Sequence, residues 1–159
     1  MATFNDKAGR AWTVAVNVDA IKRVRSLLGV DLMDAVGGEL LERLVADPVL
    51  LCDVIYALCK PEADARSVSD EEFGRAMAGD AIEAATTALL EELTDFFPSR
   101  RRRLLKRAME KMDRLQELAL QAAEARLESG EFEERLRAEL ESGNWSGNSP
   151  GSSGSTPDR

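Results

Sequence analysis

Residues 12–28 read Trp12-Thr13-Val14-Ala15-Val16-Asn17-Val18-Asp19-Ala20-Ile21-Lys22-Arg23-Val24-Arg25-Ser26-Leu27-Leu28. Two periods meet in this stretch. From Trp12 to Val18 the pattern alternates: Trp12, Val14, Val16 and Val18 share one face, and Thr13, Ala15 and Asn17 share the other. That is a strand. Beyond it the spacing becomes helical. Ile21, Val24, Leu27 and Leu28 form a stripe, Lys22, Arg23 and Arg25 face water, Asp19 is placed to cap and Gly29 to end the helix. The strand needs a partner. Thr3-Phe4-Asn5, followed by the polar turn Asp6-Lys7-Ala8-Gly9-Arg10, supplies one, so 3–17 reads as a β-hairpin. A lone hairpin is marginal in water, so its apolar face must pack on something. Trp12, Val14 and Val16, with Leu89 and Leu93, are the expected core.

Downstream the signals are helical. Leu32, Met33 and Val36 suggest one short turn before Gly37-Gly38, and Leu40, Leu41, Leu44 and Val45 continue at helical spacing. Asp47-Pro48 is a cap followed by proline at the first helical position. The next segment, Val49 to Lys60, is apolar on most sides, which marks a central helix that Pro61 is expected to stop. Residues 61–68 then form a loop. Ser69-Asp70-Glu71-Glu72 is a capping box, after which Phe73, Ala76 and Met77 face inward. Ala81 to Phe96 is a helix ended by Pro98. Ser99 opens a helix of about 30 residues to Ser129-Gly130, and Glu131 to Glu141 forms one more, with Phe132, Leu136 and Leu140 on one face. Leu105, Ala108, Met112, Leu115, Ala119 and Ala122 step by 3, 4, 3, 4, 3, a heptad-like seam. In the last 18 residues, Ser, Gly, Thr and Pro supply 13, a composition expected to be disordered.

The fold class is therefore mainly α: a small N-terminal β-hairpin packed on a helical bundle, with a long C-terminal helix and a disordered tail. Three segments are expected, at 1–98, 99–141 and 142–159. No apolar run approaches the ~18 residues of a membrane span, and the N-terminus lacks the pattern of a secretory signal. A cytoplasmic protein is expected.

Of 159 residues none is histidine. That removes Ser-His-Asp and Cys-His sites, a histidine general base and histidine metal ligands. Cys52 and Cys59 lie seven residues apart, about 10.5 Å along a helix, too far for a disulfide. They read as small apolar groups on a buried stripe. The acid pairs Glu71/Glu72, Glu91/Glu92 and Glu133/Glu134 are adjacent in sequence, so on a helix they diverge by about 100° and read as solvated faces. No calcium-loop or phosphate-loop spacing occurs. The inventory points away from catalysis, with no cofactor and no metal expected.

Charge is uneven. Residues 1–98 carry 9 basic and 18 acidic side chains, whereas 99–111 carry 7 basic and one acidic, within an overall charge of −8. Cations in a helix's first turn oppose its dipole, so Arg100–Arg107 calls for a compensating contact. Three fit: Glu91, Glu92 and Asp95 brought close by a turn at Pro98, an acidic partner protein, or nucleic acid. The net charge and the scarcity of neighbouring aromatics disfavour the last. The candidate partner-binding residues are Arg100, Arg101, Arg102 and Arg103 with the stripe Leu105, Met109, Met112 and Leu115, where methionine gives adaptable packing.

The order of several motifs resembles a known family. Gly9-Arg10-Ala11-Trp12-Thr13-Val14, Ile21-Lys22-Arg23-Val24-Arg25 and Gly29-Val30-Asp31-Leu32 form its first block. Ser69-Asp70-Glu71-Glu72-Phe73, Asp80, Ala84-Ala85 and Leu90-Glu91-Glu92-Leu93-Thr94-Asp95-Phe96-Phe97-Pro98 form its second. Over residues 1–100 the chain resembles the tail assembly chaperones encoded in tail gene clusters of long-tailed bacteriophages and prophages. The resemblance implies a non-enzymatic protein that coats the tape measure protein until the tail tube forms around it. It also implies that a longer frameshifted form can exist, with 142–159 suiting the junction. Two alternatives stand beside it: a coiled-coil protein that self-associates through the 105–122 seam, and a nucleic-acid-binding regulator acting through Arg100–Arg107.

Overall fold

The hairpin forms where alternation places it, and a computed structural model describes it within residues 1–143. Strands β1 (Ala2–Asn5) and β2 (Ala11–Val14) pair antiparallel, with Phe4 opposite Trp12 and Ala2 opposite Val14. Trp12, Val14, Leu89 and Leu93 are buried as expected, and Val16 is half-buried against the same core. The strand stops sooner than the alternation suggested. Val18 is 60% exposed and opens helix α1 (Val18–Leu28). The cap of α1 is Asn17, whose side chain accepts the Ala20 N–H at 2.9 Å. Asp19 sits instead in the first turn, where a carboxylate favours the helix dipole, and pairs with Arg23 at 2.5 Å. Gly29 ends α1 in the left-handed conformation, φ 67°, which glycine adopts without strain.

A 3-10 turn (Leu32–Gly37) leads to α2 (Glu39–Ala46) and then α3 (Pro48–Ala65). Asp47 caps α3 by accepting from Val49 and Leu50 at 3.0 and 3.2 Å. The central helix does not stop at Pro61. It runs through the proline to Ala65, so most of the expected 61–68 loop is helix. Proline has no N–H to give the carbonyl four residues back, here Ala57. Arg23 of α1 takes over: its Nη1 donates to the Ala57 and Leu58 carbonyls at 3.3 and 3.2 Å. The interruption is thus satisfied from a neighbouring helix.

That substitution has a testable consequence. Arg23→Ala is expected to cost about 1–3 kcal/mol, because the freed carbonyl loses its donor. With Pro61→Ala already present, residue 61 regains its N–H, and the same change should cost about 1 kcal/mol less. A double-mutant cycle by urea denaturation measures this coupling. Strict additivity would show that Arg23 does not repair the Pro61 gap.

Helix α4 (Asp70–Ala76) begins at Ser69, whose hydroxyl accepts the Glu72 N–H at 3.2 Å. Helix α5 (Asp80–Phe96) and the long α6 (Ser99–Glu128) follow, then α7 (Glu131–Glu141). The chain divides into two compact units, one spanning Met1–Arg114 and the other beginning at Leu115. In the first unit β1 lies along α5, β2 along α3, and α1 packs on α3. Its core includes Trp12, Leu32, Leu41, Ile55, Phe73, Leu89, Leu93 and Phe97. The described part of the second unit is the distal part of α6 and all of α7, joined at Gly130 (φ 74°). No residue from 115 to 143 is buried. Among the described residues no helix is long and apolar enough to cross a membrane. The 142–159 segment expected to be disordered lies, from 144 onward, outside the described residues.

Candidate functional site

Three places in the molecule have the residues for a site. The first is the turn of the hairpin. Asp6 is almost fully buried, although its setting in a polar turn suggested a solvated acid. It accepts from the Ala8 and Arg10 backbone N–H groups, both at 2.9 Å, from Arg10 Nε at 2.7 Å and from Trp12 Nε1 at 2.9 Å. Burial alone would raise its pKa. The hydrogen bonds from Trp12 and Arg10, with the guanidinium charge, outweigh burial and hold the carboxyl below the usual aspartate value. Arg10 continues to Glu72 of α4 at 2.5 Å. The Trp12 ring stacks edge-on to Phe73 at 5.0 Å, with the Arg66 and Arg10 guanidinium carbons 5.0 and 5.7 Å from its centre. All these groups satisfy one another, so the network fastens the hairpin to the helices. It was missed in the sequence, where the spacing Asp6, Ala8, Arg10, Trp12 was the available signal.

The outer edge of β2 is fastened too. Glu62 of α3 accepts the Thr13 N–H at 3.0 Å, and Arg66 donates to the Ala11 carbonyl at 2.7 Å. The Cys59 thiol points to the Thr13 carbonyl at 3.5 Å. The continuation of α3 past Pro61 places Glu62 and Arg66 there.

The second place is a cleft of about 390 Å³ lined by Pro48, Val49, Cys52, Asp53, Asp70 and Met77, among others. Burial, then the charges of Asp53 and Asp70, pushes the Cys52 thiol up to about 11. Burial, then Asp70 and Asp47, also raises Asp53. A reactive cysteine needs the opposite setting, a cation or a helix N-terminus that favours thiolate. Cys59 is pushed further, to about 12, chiefly by burial. At pH 7.5 we expect iodoacetamide to modify Cys52 slowly and Cys59 only after denaturation, read by mass spectrometry. Rapid labelling of Cys59 in the folded protein would contradict its burial.

The third place is α6. The structure sorts the expected binding residues into two groups. Leu105 is fully buried in the core of the first unit, and Met109 and Met112 are half-buried against it. Met109 sulfur also lies 3.6 Å from the Thr94 hydroxyl, within hydrogen-bonding reach. Leu105 therefore corrects the expected contact stripe: it serves the protein's own core. Leu115 is 57% exposed. Of the seam read at 105–122, only Leu105, Ala108 and Met112 are withdrawn from water; Leu115, Ala119 and Ala122 are exposed.

The arginines separate as well. Arg102 donates to the Asp95 and Phe97 carbonyls at 2.9 and 3.3 Å, at the end of α5. A cation there satisfies orphan carbonyls and favours the negative end of the α5 dipole. This answers part of the conflict between positive charge and the start of α6. The expected pairing with Glu91, Glu92 and Asp95 carboxylates does not form. Glu92 instead binds the N-terminal amine at 2.8 Å and lies 3.4 Å from the Val16 N–H. Among the described residues Arg100, Arg101, Arg103, Lys106, Arg107 and Lys111 make no ion pair, and all six are exposed.

Beyond Arg114 the apolar residues face outward. Of the twelve large hydrophobic side chains exposed among the described residues, Leu115, Leu118, Leu120, Leu127, Phe132, Leu136 and Leu140 all lie in the second unit. Where α6 meets α7, Ala123, Leu127 and Phe132, edged by Arg126, Glu131 and Arg135, line a cleft of about 310 Å³. Apolar floor and charged rim together suit an amphipathic helix. No family model, no curated protein and no solved structure matches the chain.

Proposed function

We propose that this protein is a non-enzymatic tail assembly chaperone, working in the bacterial cytoplasm, that shields amphipathic helical segments of a tape measure protein. The observation that carries the reading is the surface of the second unit: among its described residues seven large apolar side chains are exposed and none is buried. Such a surface is costly to keep in water unless something visits it. The contact on this reading is Leu120, Leu127, Phe132, Leu136 and Leu140, and the cleft at the α6–α7 junction receives one anchor side chain. A net charge of −8 keeps the carrier soluble while it holds an apolar client. The client's identity comes from the likeness of residues 1–100 to such chaperones.

Co-expression tests it. A tape measure protein should become soluble when it is made together with this chain. Phe132→Asp with Leu136→Asp should abolish the gain and leave the melting temperature of the first unit unchanged. A client equally insoluble with and without the chain would overturn the proposal.

A further inference from the structure

The part of α6 that belongs to the first unit, up to Arg114, has two opposite faces. At about 100° per residue Leu105, Met109 and Met112 fall together, and they turn to the core. Arg100, Arg103, Leu104, Arg107 and Lys111 fall within an arc of about 100° on the far side. All five are exposed, Leu104 to 51%. From Arg100 to Lys111 this outer face runs about 17 Å, at about 1.5 Å per residue. It carries four cations around one aliphatic side chain.

Such a face works against its own helix. Arg103, Arg107 and Lys111 follow one another at four-residue steps, where like charges repel. Arg100 stands in the first turn, against the helix dipole. Arg102 is relieved by bonding the Asp95 and Phe97 carbonyls. The four cations of the outer face make no ion pair among the described residues, and Glu110, the one acid between 99 and 111, pairs with none of them. Residues 1–98 nevertheless hold 18 acidic side chains against 9 basic. The unit folds with acids in excess and leaves this face without one.

Charge and shape together choose the occupant. Four cations call for carboxylates or phosphates. Leu104 among them calls for an aliphatic contact, which a phosphate backbone does not offer. Residues 99–114 contain no Phe, Tyr or Trp on which a base could stack. A nucleic acid is charged along its whole length, and the acid excess of the rest of the unit repels whatever extends past the face. A short acidic protein segment ends where the cations end. We infer that the outer face of α6 docks an acidic amphipathic helix of a partner protein, about three turns long, in which Asp or Glu flanks one aliphatic side chain. The aliphatic group rests on Leu104. The carboxylates take Arg100, Arg103, Arg107 and Lys111, and each arginine can donate two parallel hydrogen bonds to one carboxylate. The contact proposed for the client lies beyond Arg114, so this docking stands or falls independently of the chaperone reading.

The probe is a fluorescent peptide of glutamate and alanine with one central leucine, held helical by a staple on the face turned away from the protein. Its anisotropy is followed against the full chain at low salt. Binding should saturate. Arg103→Glu with Arg107→Glu should weaken it at least about tenfold, and Leu104→Ala by a few-fold. A peptide with alanine in place of its leucine should also bind a few-fold more weakly. These positions are exposed, so both variants should keep the parent's helix content and melting temperature. No binding by the parent, binding that survives the charge reversal, or equal binding of the two peptides would each overturn the inference. A DNA duplex held more tightly than the peptide would assign the cations to nucleic acid instead. A dimer in light scattering that the same charge reversal dissolves would assign them to a second copy, and either result likewise refutes it.

Discussion

Trp12→Ala is expected to remove about 3–5 kcal/mol of folding stability, a large part of what a domain of this size possesses. The indole is fully buried. Its removal leaves a void against Phe73 and strips two guanidinium groups of their aromatic face. It also takes one donor from the buried Asp6 carboxylate. Trp12→Phe keeps most of the ring and loses only the N–H, so it should cost about 1–3 kcal/mol. Circular dichroism in urea measures both, since the second tryptophan, Trp145, complicates fluorescence. The midpoint should fall with the slope unchanged. A Trp12→Ala variant within about 1 kcal/mol of the parent would show that the hairpin is not part of the cooperative core.

Asp6→Ala is the second large effect, about 3–5 kcal/mol, because the Trp12 indole and two backbone N–H groups lose their acceptor together in a buried place. The acid also makes stability depend on pH. Its pKa is lower in the folded state than in the unfolded chain. The stabilisation is therefore complete above the unfolded value of about 3.9 and is lost as pH falls through the folded value. Asp6→Asn should flatten the stability curve below about pH 4 and lower the plateau at pH 7. An Asp6→Asn variant with the parent's acid limb would assign that limb to other carboxylates. Combining Asp6→Ala with Trp12→Ala should cost less than the two separately, since each already breaks the shared hydrogen bond.

Much of this architecture is legible in the chain because local signals and burial agree. The change from alternation to helical spacing near Val18 locates the hairpin and α1, and Asp47-Pro48 and Ser69 mark helix starts that form as written. The failures have one cause: they depend on what packs nearby. Pro61 reads as a stop because a proline removes a donor, and only Arg23 of another helix shows how the gap is filled. Steps of three and four put Leu105 and Leu115 on one seam of α6, and only packing against the first unit's core separates them: Leu105 is buried and Leu115 is 57% exposed. Asp6 looks solvated until folding brings Trp12 onto it. For the candidate site, the abundance of apolar residues after Leu115 was visible, and their lack of any cover was not.

The side chains of Glu62 and Arg66 along β2 bear on a hazard of two-stranded ribbons. Such a ribbon has two open rims, each able to recruit a third strand from a neighbouring molecule and so seed a fibril. Here α3 occupies the rim at Ala11 and Thr13, bonding the very N–H and C=O that an incoming strand would need. That edge of the ribbon is thus kept closed by a carboxylate and a guanidinium of the same chain.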